Sequence, residues 1–458
     1  MVFFNDNLSD TILLCVNSVT LLGPWGHFRT MKILGAAIGV LTVCTASTVS
    51  ALTLNETIRY TLETNPEVLA ARHEYLARDQ EVDVAKAGYR PTLDVAAGIG
   101  RQTIESQSTG GDEVTLTRHE SSVSATQMVF DGFATSEEVN RQQARRNSSF
   151  FKSSEVEENT ALRASEVYLN LLRQNELLDL ARETLYEHQN IHDQMVLRNK
   201  SGVGSKADLD QISARLALAN SNMISAQSNL LDSQTNFYRV TGMRPQLNTV
   251  ETPKITPSIP ASLEAAETLA LTQHPTLKSA LADVESAVAQ YEATESVFWP
   301  NLRIEADKRW DEDIDGVVGE SEDLVVALRM RYNLYNGGGD KSRRKQTAHL
   351  IEQARDIRNN TKRQVVESLR LSWSAHQTIN EQLKYLEMHV RASLATKSAY
   401  QKQFNIGRRT LLDLLNTENE VVDSKRTLIN ATYDQLFAQY RIFNSMGQLL
   451  KELNGEQP

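Results

Sequence analysis

The sequence predicts a mainly α-helical protein with a smaller β part, built as two internal repeats of one helix–strand–strand–long hairpin unit. Three observations carry this. First, ordered markers recur roughly 200 residues apart: Leu54 and Asn65-Pro66 as Leu263 and His274-Pro275, Tyr89-Arg90-Pro91 as Phe298-Trp299-Pro300, Phe130-Asp131-Gly132 as Tyr335-Asn336-Gly337, Gly202 and Asp208 as Gly407 and Asp413, and Thr241-Gly242 as Met446-Gly447. Second, residues 136–200 and 340–405 contain neither Gly nor Pro. Without breakers, each such stretch of about 65 residues reads as one helix of about 100 Å. Third, four short segments change from the helical period to strict alternation.

Taken in order, residues 1–51 read as an upstream extension and an export signal. Met31-Lys32 starts a short basic region, residues 33–43 are an apolar run too short to span a bilayer, and Val49-Ser50-Ala51 offers small residues for cleavage after Ala51. A lipid-attachment reading of residues 41–44, ending at Cys44, is the alternative. Cys15 and Cys44 are the chain's two cysteines, so no thiol or Cys-ligated metal chemistry is available downstream. Forty-eight Lys and Arg against 58 Asp and Glu leave a net charge of -10, which argues against a basic nucleic-acid binder.

Residues 52–243 form repeat 1, 244–262 a Pro-rich linker, 263–450 repeat 2 and 451–458 a tail. Each repeat opens on a helix, capped by Thr53 or Ser262 and broken near the Asn-Pro or His-Pro pair. In the first repeat this helix is expected over residues 54–87. Strands follow. Leu93, Val95, Ala97 and Ile99 share one face over residues 91–101; Val123, Ala125, Gln127 and Val129 alternate with Ser122, Ser124 and Thr126. Leu302, Ile304 and Ala306 alternate with Arg303, Glu305 and Asp307, and Leu324 to Leu334 alternate with Val325, Ala327, Arg329, Arg331 and Asn333. The strands are expected to run about 10–12 residues, and aromatic residues such as Tyr89, Trp299, Trp310 and Tyr335 flank them. One apolar and one charged face suit either a soluble sheet with a wet side or a barrel with lipid outside and water inside. Four strands cannot close a barrel and open edges cannot face lipid, so a membrane reading requires two or three chains to share one. Coiled-coil spacing appears at Leu162, Ser165, Leu169 and Leu172, at Ile379, Leu383, Leu386, Val390 and Leu394, and at Leu436, Tyr440, Phe443, Gly447 and Leu450.

This ordered, duplicated set resembles the TolC-like outer membrane channels of Gram-negative bacteria. It includes Asn65-Pro66, Tyr89-Arg90-Pro91, Phe130-Asp131-Gly132-Phe133, Tyr335-Asn336-Gly337-Gly338 and the run from Ile406-Gly407 to Leu415. The resemblance covers nearly all of the mature chain. It implies a homotrimer with a shared 12-stranded barrel in the outer membrane, and a periplasmic tunnel of helices. A periplasmic adaptor and an inner membrane ABC transporter or proton-driven pump are the implied partners, with outer membrane lipid around the barrel. The implied function is passive conduction, with no enzyme activity, cofactor or metal. By position, Asp208, Phe404 and Arg409 would hold the periplasmic gate and Asp413 would ring the constriction. Asn416 stands where a second carboxylate is expected, which weakens cation selectivity. Gly202, Val203, Gly204, Ile406 and Gly407 would meet the adaptor.

The run from Phe130 to Thr135 favours a protein-secretion channel over a multidrug efflux channel, and a soluble coiled-coil adaptor is the reading from another class. Residues 311–322 fit a calcium-loop spacing, but strands flank them, so an acidic surface loop is expected. His188 and His192 are spaced as a helical metal pair but lack HExxH, and are expected on a solvated face. Residues 337–342 do not meet the phosphate-loop spacing.

Overall fold

The computed structural model describes residues 53–245, 251–253 and 259–453. The expected signal segment, its Cys44 alternative, parts of the linker and residues 454–458 lie outside them.

The chain begins with α1 (Leu54–Thr64) and α2 (Pro66–Lys86). Thr53 and Glu56 close a capping box on α1: the Glu56 amide donates to Thr53 Oγ1 at 3.3 Å and the Thr53 amide to Glu56 Oε2 at 3.1 Å. The single broken helix expected over 54–87 is thus two helices. Asn65, held extended by the following proline, ends one and caps the other, accepting from the Glu67 amide at 2.9 Å. Repeat 2 builds the same joint from α5 (Leu263–Gln273), His274 and α6 (Pro275–Ala293). The His274 ring accepts from the Thr276 amide at 3.3 Å. Burial lowers the His274 pKa to about 4.

Strands β1 (Thr92–Glu105), β2 (Glu113–Phe130), β3 (Asn301–Glu312) and β4 (Glu320–Arg331) form one antiparallel sheet in that order. The first hairpin is longer than its alternation suggested. β1 continues to Glu105 and β2 starts at Glu113, with Thr103 and Thr115 bonded across the strands at 2.8 Å. Threonine is polar yet a good strand former, so an apolar/polar reading stops too early. β4 is shifted toward the N-terminus of the expected run: it starts at Glu320, before Leu324, and ends at Arg331, excluding Tyr332 and Leu334. There the Asn333 side chain accepts from the Tyr335 amide at 3.1 Å and turns the chain. Leu93, Val95, Ile99, Leu324, Val326, Leu328 and Met330 lie exposed on one face of the sheet. The strand edges of β1 and β4 have no partner strand among the described residues.

Two long helices leave the sheet, α3 (Ala134–Lys200) and α7 (Gly339–Asn405), each of 67 residues and therefore about 100 Å long. They return as α4 (Lys206–Thr241) and α8 (Leu411–Ser445). The β2–α3 junction is tight. Asp131 accepts from the Thr135 amide at 2.8 Å, and Gly132 has φ +68 with a hypothetical Cβ only 2.6 Å from Ser296 O. Only glycine fits that turn.

The main core lies where the repeats meet. Leu54 and Ile58, Ala161, Ala164 and Tyr168, Phe237, Ala266 and Ala270, Leu369, and Phe443 bring α1, α3, α4, α5, α7 and α8 together. Small residues let helices approach closely: Ser148 and Ser279 bond across α3 and α6 at 3.1 Å, and Ser445 reaches Ser368 and Ser372 at 3.2 Å. Residues 451–453, expected as tail, belong to the short α9 (Leu449–Leu453). Its first amides, Leu449 and Leu450, donate to the buried Glu158 carboxylate at 3.1 and 3.2 Å. Burial, with Glu157 adjacent, raises the Glu158 pKa to about 7. Of the expected coiled-coil seams, Tyr440 and Phe443 are buried, whereas Leu394 is exposed in the single chain.

Candidate functional site

The hairpin tips are built from backbone geometry. At the α3–α4 turn, Gly202 sits at φ +74, and the Val203 and Gly204 amides both donate to Arg198 O at 3.0 Å. A Cβ on Gly204 would lie 2.9 Å from the Asn199 nitrogen. At the α7–α8 turn, Gly407 takes the same φ of +74, its amide donates to Phe404 O at 3.0 Å, and the Arg408 amide to Gln403 O at 2.8 Å. Val203 and Ile406 are left exposed, 82% and 66%. These apolar side chains crown the two tips and give a partner something to cover.

Behind the tips lies a second apolar cluster. Phe404 is buried with Ile191 and Met195 of α3, Ile212 of α4, and Leu411, Leu414 and Leu415 of α8. The Arg198 guanidinium lies 4.6 Å from the Phe404 ring centroid. Phe404 was expected at a gate held by polar links. Its contribution there is burial against both hairpins and a cation–π contact, because a phenyl ring has no polar atom to offer. Arg409 stacks on Tyr400 at 4.2 Å, donates to Gln403 Oε1 at 3.0 Å and lies 3.9 Å from Asp413.

Asp413 is less free than a bare pore carboxylate. Its Oδ2 accepts from the Thr410 hydroxyl at 2.9 Å and the Thr410 amide at 3.3 Å, while its own amide donates to Thr410 Oγ1 at 3.2 Å. It therefore forms the capping box of α8 and balances the positive helix end. Asp208 is half-buried in the first turn of α4, and Asn416 is exposed. Among the described residues no intrachain hydrogen bond or ion pair joins Asp208 to Phe404, Arg409 or Asp413.

Sequence reading missed Glu418. This α8 residue is 3% exposed and receives Lys397 Nζ of α7 at 2.9 Å, while its second oxygen has no partner. The available signal was a carboxylate among the apolar positions Leu414, Leu415 and Val421. His188, expected on a solvated face, is buried, with Nδ1 2.9 Å from Thr184 O. The long hairpin covers a helix face that periodicity could not assign to a neighbour. Among the described residues no group of three His, Cys, Asp or Glu side chains is placed to hold a metal. In the acidic loop, Asp313 is occupied with the Gly319 amide at 2.9 Å, and the Asp315 amide donates to Gln102 at 3.2 Å. Among the described residues no helix is long and apolar enough to cross a membrane, a test that does not address strands.

The profile of the outer membrane efflux protein family matches residues 57–243 and 268–448. The chain is 23% identical over 444 residues to the outer membrane efflux protein BepC of Brucella suis, covering 94% of this chain and 93% of that one. It is 25% identical over 409 residues to the alkaline protease secretion protein AprF of Pseudomonas aeruginosa, covering 86% and 84%. The solved structure of the outer membrane protein VceC from Vibrio cholerae has the same fold, with a TM-score of 0.74, 15% identity and coverage of 86% and 96%.

Proposed function

The chain belongs to the outer membrane efflux protein family, and on that premise we propose that it is the exit duct of an export machine, three copies sharing one 12-stranded barrel. The observation that carries this is the sheet itself: four strands, an exposed apolar face and two unpaired edges. In lipid an unpaired strand edge leaves its amides and carbonyls without partners, so the edges must meet those of other copies. The long hairpins then stand as a periplasmic tunnel whose tips face the pump. Exposed Val203 and Ile406 at those tips receive an adaptor. An open groove of about 730 Å³ between α3 and α7, flanked by Leu197, Leu394, Lys397 and Lys402, suits one of its helices. Asp208, Phe404, Arg409, Asp413 and Asn416 form the gate region. Transport energy comes from an inner membrane partner.

Protein secretion is the finer reading. Its support is the run from Phe130 to Thr135 and a relative named for alkaline protease secretion. Multidrug efflux is the second reading, supported by the relative named as an efflux protein. A deletion strain separates them. Loss of a secreted polypeptide with unchanged drug resistance supports secretion; drug sensitisation with an unchanged secretome supports efflux. Membrane fractionation with size analysis in detergent tests the duct itself, and a soluble periplasmic monomer would sink it.

A further inference from the structure

Register, rather than composition, reveals an uneven charge distribution on the sheet. The face opposite Leu93, Val95, Ile99, Leu324, Val326, Leu328 and Met330 carries Asp94, Arg118, Glu120, Arg303, Glu305, Asp307, Arg309, Asp311, Asp323, Arg329 and Arg331. With lipid against the apolar face, this charged face must line water. Both signs are present, but they are unevenly distributed along the strand axis. At the end where the strands join the helices, β3 pairs Asn301 with Arg331 and Arg303 with Arg329. The next row adds Glu305, which holds Arg329 at 2.6 Å. The five remaining carboxylates, Asp94, Asp307, Asp311, Asp323 and Glu120, all lie further toward the hairpin loops, together with Arg309 and Arg118.

Arg303 and Arg329 stand directly opposite each other on one face, an arrangement that costs stability through like-charge repulsion. Arg303 gains only the Asn301 side-chain oxygen, at 2.9 Å, and Arg331 has no ion-pair partner among the described residues. All three side chains are exposed. Three arginines against one carboxylate leave the two rows nearest the helices and their neighbour net positive in every copy.

We propose that Arg303, Arg329 and Arg331 form a basic collar at the helix-side mouth of the barrel lumen that draws anions and anionic cargo groups into the barrel. The proposal rests on the shared-barrel reading, in which three copies close the collar into a ring. A ring of fixed charge raises the local concentration of the opposite ion and thereby sets selectivity. The collar and the gate region then act in series: Asp413, partly neutralised by its cap and Arg409, lies at the far end of the long helices.

The test is the reversal potential of the purified trimer in a planar bilayer under a dilute KCl gradient. The variants are the triple substitution R303Q/R329Q/R331Q, the single substitution R331Q, the charge-preserving R303K/R329K/R331K and the lipid-face control K308Q. The triple glutamine variant is expected to raise the potassium-to-chloride permeability ratio about two-fold or more, with R331Q shifting it less in the same direction. The triple lysine variant and K308Q keep the original ratio, and all differences shrink at high salt. Unchanged reversal potentials in a conducting triple glutamine trimer overturn the collar. If that variant does not assemble, an unchanged potential in R331Q does so. Absence of any trimer or conductance in the unsubstituted protein overturns the duct reading, and the collar with it.

Discussion

At the residue scale, a buried carboxyl and a half-buried imidazole respond to pH in opposite senses. Glu158 keeps its proton up to about 7 in the folded chain, because burial dominates the two amide bonds it accepts. The unfolded carboxyl ionises first, so as pH rises from about 4.5 to about 7 this site loses up to about 3 kcal/mol of stability. Amide exchange of α9, corrected for intrinsic rates, is expected to show protection falling over that range and a flat profile in E158Q. His274 has its pKa lowered to about 4 by burial, so its contribution is present above about 6.5 and is lost as pH falls through about 4. Asparagine occupies the equivalent position in repeat 1 and caps equally well, so H274N should reduce acid sensitivity, read as unfolding midpoint against pH. At the α8 cap, T410A is expected to cost about 1 kcal/mol. A conductance change in D413A that T410A does not reproduce would belong to the Asp413 charge; a change shared by both would belong to the cap.

At the element scale, the hairpin tips depend on Phe404. Truncation to alanine removes the hub of a cluster drawn from four helices and should cost about 3–5 kcal/mol, with faster amide exchange at residues 191–195 and 411–415. The turns themselves differ in tolerance. Gly202 and Gly407 have open space around a hypothetical Cβ, whereas Gly447 would press one within 2.5 Å of Pro275 Cδ. Gly447→Ala should therefore destabilise more than Gly407→Ala, although both adopt positive φ. Thermal unfolding of the pair checks this. The Lys397–Glu418 pair ties α7 to α8 within the same region and adds to the rigidity of the second hairpin.

At the scale of the whole molecule, the isolated chain exposes apolar rows at coiled-coil spacing. Ile224, Leu231 and Tyr238 form one on α4; Ile357, Leu371 and Tyr385 form another on α7. Such rows need a partner helix. In a trimer they are covered, so L231D should shift the detergent-solubilised protein toward monomer in size analysis without unfolding the long helices. A trimer unaffected by that substitution would place the subunit contacts elsewhere.

The repeat order, the two long helices and the four strands were legible because each follows from a local signal: absence of breakers, a change of period, and capping residues such as Thr53 and Ser262. The turn glycines at 202 and 407 were legible for the same reason, since their positive φ is a property of the backbone alone. Strand ends at Glu105, Glu113 and Arg331 were not, because threonine pairs and an asparagine turn decide them through contacts that alternation does not encode. The tertiary structure alone decided that His188 and Glu158 are buried and that Phe404 packs against residues of both hairpins. It also decided that Arg303 faces Arg329. Each of these depends on which residue lies opposite across a helix pair or a strand pair, and that registry is set only when distant segments pack.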